Sequence, residues 1–186
     1  MKERAKVILD YWFVESLPEE LFKRNEVFDQ KIRNRFIKDY EKAINNHYDD
    51  WQDDPESCVA LIILLDQFSR NLFRDDKLAF AQDYKARLIT NEAIDRGYLE
   101  DINLDKKHFL LMPLLHSESI SDHIYAQNLC DVYLKKHPQF NIIKKAWNDH
   151  TYAIKKFGRY PHRNKIMNRT STPEEELFLQ QPNSSW

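Results

Sequence analysis

Three short runs hold most of the side chains able to do chemistry. In Leu64-Leu65-Asp66-Gln67-Phe68-Ser69-Arg70-Asn71-Leu72-Phe73-Arg74, the residues Asp66, Arg70 and Arg74 recur every four positions and share one helical stripe, with Gln67 and Asn71 beside it. The run extends an apolar stretch, where an isolated charge is very costly and must be paired or face a cleft. Two readings stand: an Asp66 to Arg70 ion pair that closes a helix end, or a ligand cleft. In the second, Arg70, Asn71 and Arg74 bind and Asp66 serves catalysis.

The second run, Met112-Pro113-Leu114-Leu115-His116-Ser117-Glu118, sets His116 and Glu118 just after a proline that frees backbone carbonyls. These two lack the one-face spacing of H-E-x-x-H, so no metal is expected. A capped kink is the plain reading, and a catalytic His116 with Glu118 in a ligand site is the other. The third run, Phe157-Gly158-Arg159-Tyr160-Pro161-His162-Arg163-Asn164, gathers Arg159, His162, Arg163 and Asn164 around one proline. Arginine forks match carboxylate and phosphate, and His162 can exchange a proton near neutral pH. A solvated basic loop is the alternative. His150, on the stripe of Trp147 and Ile154, is either a hydrogen-bonded core histidine or a further ligand contact.

The elements that must position these runs are helical. Spacing predicts helices from about Lys2 to Glu15, from an Asn25 cap to near Asn46, and from an Asp54 cap with Pro55 through an all-apolar, hence central, stretch to Phe73. Ser16 with Glu19 offers a capping box for one short turn after the first. Asp75-Asp76 should cap a fourth helix that Gly97 ends. A fifth begins near Asp105 and kinks or stops just before His116. A sixth opens at Ser119 or Ser121, and a seventh carries Ile143, Trp147, His150, Ile154 and Phe157 to Gly158. Thr172-Pro173-Glu174-Glu175 should cap a last one, with Gln181 to Trp186 fraying.

Composition narrows the functions. Of 186 residues two are glycine, Gly97 and Gly158, where average usage of about 7% would give roughly thirteen. No dinucleotide-binding loop, Walker loop or nucleophile elbow can be written with them. Scarce glycine also starves hairpin turns, favouring an all-α fold in a single domain spanning 1–186. Lys plus Arg is 28 against 30 for Asp plus Glu, a net charge of −2 spread along the chain, so no attraction to nucleic acid or to a membrane surface follows. The longest apolar run, Cys58 to Leu65, has eight residues, against about twenty for a spanning helix. Two cysteines in apolar patterns and a charged N-terminal stretch predict a cytoplasmic protein without a disulfide framework.

The runs 64–71, 113–118 and 157–164 resemble the signatures of the bacterial domain of unknown function 924 family. Tyr11-Trp12-Phe13, Phe28-Asp29, Arg35-Phe36, Trp51 and Thr172-Pro173-Glu174-Glu175 match its other landmarks in order, so the resemblance covers nearly the whole chain. It implies a tetratricopeptide-like stack of seven to eight or more helices and no particular activity or cofactor. At Ile166-Met167-Asn168-Arg169 the chain departs from the family's Leu-Gly-Arg turn. Asn168 is then expected to take the left-handed conformation that glycine would take.

Two functions compete. In one, the three runs converge so that the arginines bind an anionic small molecule while the histidines handle protons. In the other, the same groove grips an acidic or C-terminal peptide. Depth separates them, because a small-molecule site buries its arginines beside perturbed histidines and a peptide groove stays open.

Overall fold

In the computed structural model, which describes residues 1–182 and 184–185, the side chains of Asn25, Asp54, Asp76 and Thr172 cap helix starts, whereas Ser119 precedes its helix without a side-chain cap. The chain divides into two compact units, 1–113 and 114–186. Among the described residues all regular structure is helical, so the fold is all-α.

In the first unit, α1 (Glu3–Asp10) runs directly into a π-helical turn, Tyr11–Glu15. Ser16 closes that turn with its backbone N–H and its hydroxyl, both donating to the Tyr11 carbonyl at 3.0 and 2.7 Å. Ser16 is thereby unavailable as a cap. The expected Ser16–Glu19 box is replaced one residue on, where the Glu20 carboxylate accepts from the Leu17 N–H at 2.9 Å and starts α2 (Pro18–Phe22). Asn25 caps α3 (Glu26–Ile44) through Val27 and Phe28 N–H groups, and Phe28, Ile32, Phe36 and Tyr40 point inward at helical spacing.

Asp54 accepts from the Ser57 N–H at 3.1 Å and starts α4 (Pro55–Ile62). This helix continues as a second π-helical stretch, Ile63–Phe68, and then as α5 (Ser69–Leu72). Every residue from Ser57 to Ser69 is buried, which makes this the central rod of the unit, as its apolar run predicts. Aromatic rings clasp it: Phe68 lies 5.0 Å from Phe36 and 5.5 Å from Trp12, ring centre to ring centre.

Asp76 does cap, but what it starts is a 3-10 turn, Lys77–Phe80, and α6 (Asp83–Asp95) begins afresh. Gly97 then takes φ +79°, where a Cβ would be strained. In α7 (Leu104–Leu115) the helix passes through Pro113 and stops just before His116, so the proline marks its last turn.

The second unit holds α8 (Ile120–Leu129), extended by a third π-helical turn at Cys130–Leu134, then α9 (Phe140–Phe157) and α10 (Pro173–Leu179). Gly158, at φ +67°, ends α9. Asn168 adopts φ +54°, the left-handed position expected of it. Thr172 and Glu175 form the expected reciprocal capping box. Ala153, Ile154, Tyr160 and Phe178 pack as a core, with Phe157 against them. In the expected frayed tail Ser184 is 5% exposed and donates to the Leu179 carbonyl, so it is held down, while Asn183 and Trp186 lie outside the described residues.

Candidate functional site

Asp66, Arg70, Asn71 and Arg74 belong to the first unit, and each is engaged inside it. Asp66 is fully buried within the π-helical stretch and accepts from Gln67 Nε2 at 2.6 Å and from Arg70 Nη2 at 3.4 Å. Arg70 also donates to Asp83 at 2.8 Å and to the Ala79 carbonyl, with its guanidinium 5.2 Å from the Phe80 ring centre. Arg74 grips both oxygens of Asp29 at 2.5 and 2.6 Å, and Asn71 donates to the same carboxylate at 2.8 Å. Asp29 sits in the first turn of α3, where helix-terminal amides favour negative charge.

The remaining candidates, His116, Glu118, His150, Arg159, His162, Arg163 and Asn164, lie in the second unit. Glu118 accepts from the Tyr160 N–H at 2.8 Å and from both arms of Arg169 at 2.6 and 2.9 Å. Burial alone would raise its carboxyl, but these bonds outweigh burial and hold it below the usual range. Arg159 clasps Glu175 at 2.6 and 2.8 Å, and Asn164 donates to the same carboxylate at 3.2 Å. The Arg159 bonds are the main reason that the Glu175 carboxyl is pulled down to about 2.

What the second unit brings together is a ring of basic side chains about Tyr160, which is 1% exposed. The ring centre of Tyr160 lies 6.0 Å from that of His150, 6.1 Å from His123 and 5.3 Å from His162. Arg163, 6% exposed, stacks its guanidinium 4.6 Å over the same ring, and His116 stands 6.5 Å from His150. The Tyr160 hydroxyl donates to the Leu115 carbonyl. The carbonyl of Leu115 is among the last of α7 and has no partner within the helix.

The tautomers are set by backbone carbonyls, which only accept. His150 Nδ1–H donates to Ala146 O at 2.7 Å, leaving Nε2 as its basic nitrogen, and His123 Nε2–H donates to Ser117 O at 2.9 Å. Burial pushes His150 down to about 3, with His116, His123 and His162 each disfavouring its protonation further. His123 is lowered for the same first reason, and His116 and Arg163 add to it. Burial thus disfavours the charged form of two of these imidazoles, His150 and His123, which lie in one cluster with the Arg163 guanidinium. Among the described residues no group of three or more His, Cys, Asp or Glu side chains could hold a metal ion.

Sequence reasoning missed Tyr160, His123 and Arg169 as members of this cluster, and Asp29, Asp83 and Glu175 as the carboxylates that engage the arginines. Glu175 carried one signal, its capping-box position, which a helix start explains on its own.

Among the described residues no helix is long and apolar enough to cross a membrane. A family model described as a bacterial protein of unknown function (DUF924) matches residues 8–183. No curated protein matches the chain. The solved structure of a protein of unknown function from Agrobacterium tumefaciens is 33% identical, covers 95% of this chain and 97% of its own, and superposes with a TM-score of 0.86.

Proposed function

Taking as premise that the chain belongs to the bacterial DUF924 family, we propose that its second unit binds a small anion and takes up a proton in doing so. The observation that carries this reading is the set of His150, His162 and Arg163 about the buried Tyr160, with His116 beside His150. Arg163 supplies the fork for a carboxylate or phosphate oxygen. His116 and His162, both half-buried, form the approach, and His150 Nε2 is the buried base.

Depth favours a small ligand over a peptide, because Arg163 and His150 are 6% and 7% exposed and His150 is strongly perturbed. Asp122 acts on His123, and Glu118, on which Arg163 acts, is already gripped by Arg169. Arg70, Arg74 and Arg159 read as locks between segments, with Asp66, Asn71 and Asn164 completing them.

Thermal unfolding with phosphate or citrate, against sodium chloride at equal ionic strength, tests the proposal. A bound anion at about a hundred times its Kd stabilises by about 2.7 kcal/mol. Titration calorimetry in two buffers of different ionisation enthalpy should show proton uptake. Absence of any anion-specific rise in Tm overturns the reading.

A further inference from the structure

One stretch of the first unit, 14–27, carries four of that unit's eight exposed large apolar side chains: Val14, Leu17, Phe22 and Val27. Apolar residues scattered singly over a surface need no explanation, but a concentration of them does. In the middle of the stretch lies α2, which has no buried residue. A helix of five residues is not held by propensity, and this one adds no side chain to the core.

The inward side of α2 is occupied. Glu20 accepts from the Leu17 N–H and stands 3.8 Å from Lys31 of α3, and both Glu20 and Leu21 are half-buried. The outward side is Pro18, Glu19, Phe22 and Lys23, all exposed. The Phe22 ring is stacked with those of His108 and Phe109, at 6.3 and 6.0 Å between centres, and is still 60% exposed.

The charges on the outward side are unspent. Glu19 and Lys23 have no hydrogen-bond or ion-pair partner among the described residues, whereas Arg24, next along, holds Asp75 at 2.9 Å. Four residues apart on a helix, a glutamate and a lysine would pair with each other. Lys23 leaves the helix at φ −117° and ψ 145°, and that pair is not made.

Reversed, this outward stripe complements itself: acid falls on base, and Pro18 falls on the Phe22 ring. A two-fold contact between identical chains requires such a match, because the same patch serves both sides. We propose that this surface is where two copies of the chain meet, antiparallel along 17–24. Glu19 of one copy then lies against Lys23 of the partner subunit, and the same pair recurs across the axis. Phe22 and Leu17 supply the apolar area, and the two charge pairs set the register.

Sedimentation velocity of the full chain from about 5 to 200 µM tests this, a range spanning the micromolar affinity that a small contact supports. Wild type should pass from monomer to dimer as concentration rises. Phe22→Ser should stay monomeric with its helical circular dichroism intact, and if it unfolds, the exposed charge variants decide alone. Glu19→Lys and Lys23→Glu should each weaken association about tenfold, because like charges then face each other twice. Mixed in equal amounts, these two single variants should pair with one another, since one is positive and the other negative at both positions. The double variant Glu19→Lys/Lys23→Glu should regain wild-type association. A wild type that stays monomeric throughout, a folded Phe22→Ser that associates as before, or single charge variants that neither weaken association nor complement each other overturns the proposal.

Discussion

Arg159 and Glu175, sixteen residues apart, meet as a fork on a carboxylate, with Nε donating to Oε1 at 2.6 Å and Nη2 to Oε2 at 2.8 Å. Glu175 is 2% exposed and also caps α10, so one carboxylate anchors the 157–164 run and starts the last helix. Replacing it by glutamine keeps the shape and removes the charge.

Glu175→Gln should lower stability by about 2 kcal/mol in urea unfolding, below the range of about 3 to 5 for fully buried pairs because Arg159 keeps contact with water. The carboxyl titrates lower in the folded chain than in the unfolded one. Its contribution is therefore complete above about pH 4.5 and is lost as pH falls toward about 2. The variant should lose less stability than wild type across that window, and parallel pH profiles would refute the assignment.

His150 acts over a higher window. Its folded value near 3 lies below the ordinary 6.5, so the unfolded chain binds the proton first and stability falls as pH drops from 6.5 toward 3. The slope is about 1.4 kcal/mol per pH unit for one such group, and His123 shifts in the same direction. His150→Asn should flatten the profile between about pH 6.5 and 4, measured as denaturant midpoint against pH.

Arg163→Gln should abolish any phosphate- or citrate-induced rise in Tm, a loss of about 1.5 to 3 kcal/mol in binding per charge-assisted hydrogen bond. Arg74→Gln, in the first unit, should leave that rise intact while lowering stability, because its fork serves Asp29. Equal anion response in both variants would remove Arg163 from the site.

Asn168 is exposed and held at φ +54°, which isolates a backbone effect from packing. Asn168→Gly should raise stability by up to about 1 kcal/mol, and Asn168→Val should lower it by about 1 to 3. Thermal unfolding of the two variants should bracket the wild type.

That turn is among the features legible in the residues alone. Asn25, Asp54 and Thr172 cap helices where their side chains say they should, because a cap is a local hydrogen bond between near neighbours. The burial of Cys58 to Leu65 follows from an unbroken apolar run. The π-helical turns were not legible. Where every residue at 63–65 and 68 is apolar, an extra residue in a turn leaves no break in periodicity to detect.

The partners of the arginines were hidden for a different reason. A stripe of Asp66, Arg70 and Arg74 announces that opposite charge is needed, but Asp83 and Asp29 answer from thirteen and forty-five residues away. Tyr160 carries no signal of its own in the sequence, because its role depends on His123 and His150, which only the packing of α8 and α9 brings alongside it.

The two cysteines, Cys58 in α4 and Cys130 at the π-helical end of α8, are 1% and 0% exposed, one in each unit. Burial pushes their thiols up to about 12 and about 11, so neither supplies thiolate to an alkylating reagent while its helix is packed. Each sulfur is consequently a clock for its own unit. The rate at which iodoacetamide marks Cys58 reports how often the first unit opens, and the rate at Cys130 reports the same for the second. Peptide mass spectrometry of a single labelled sample would therefore read two opening free energies side by side, without a spectroscopic probe or an engineered residue.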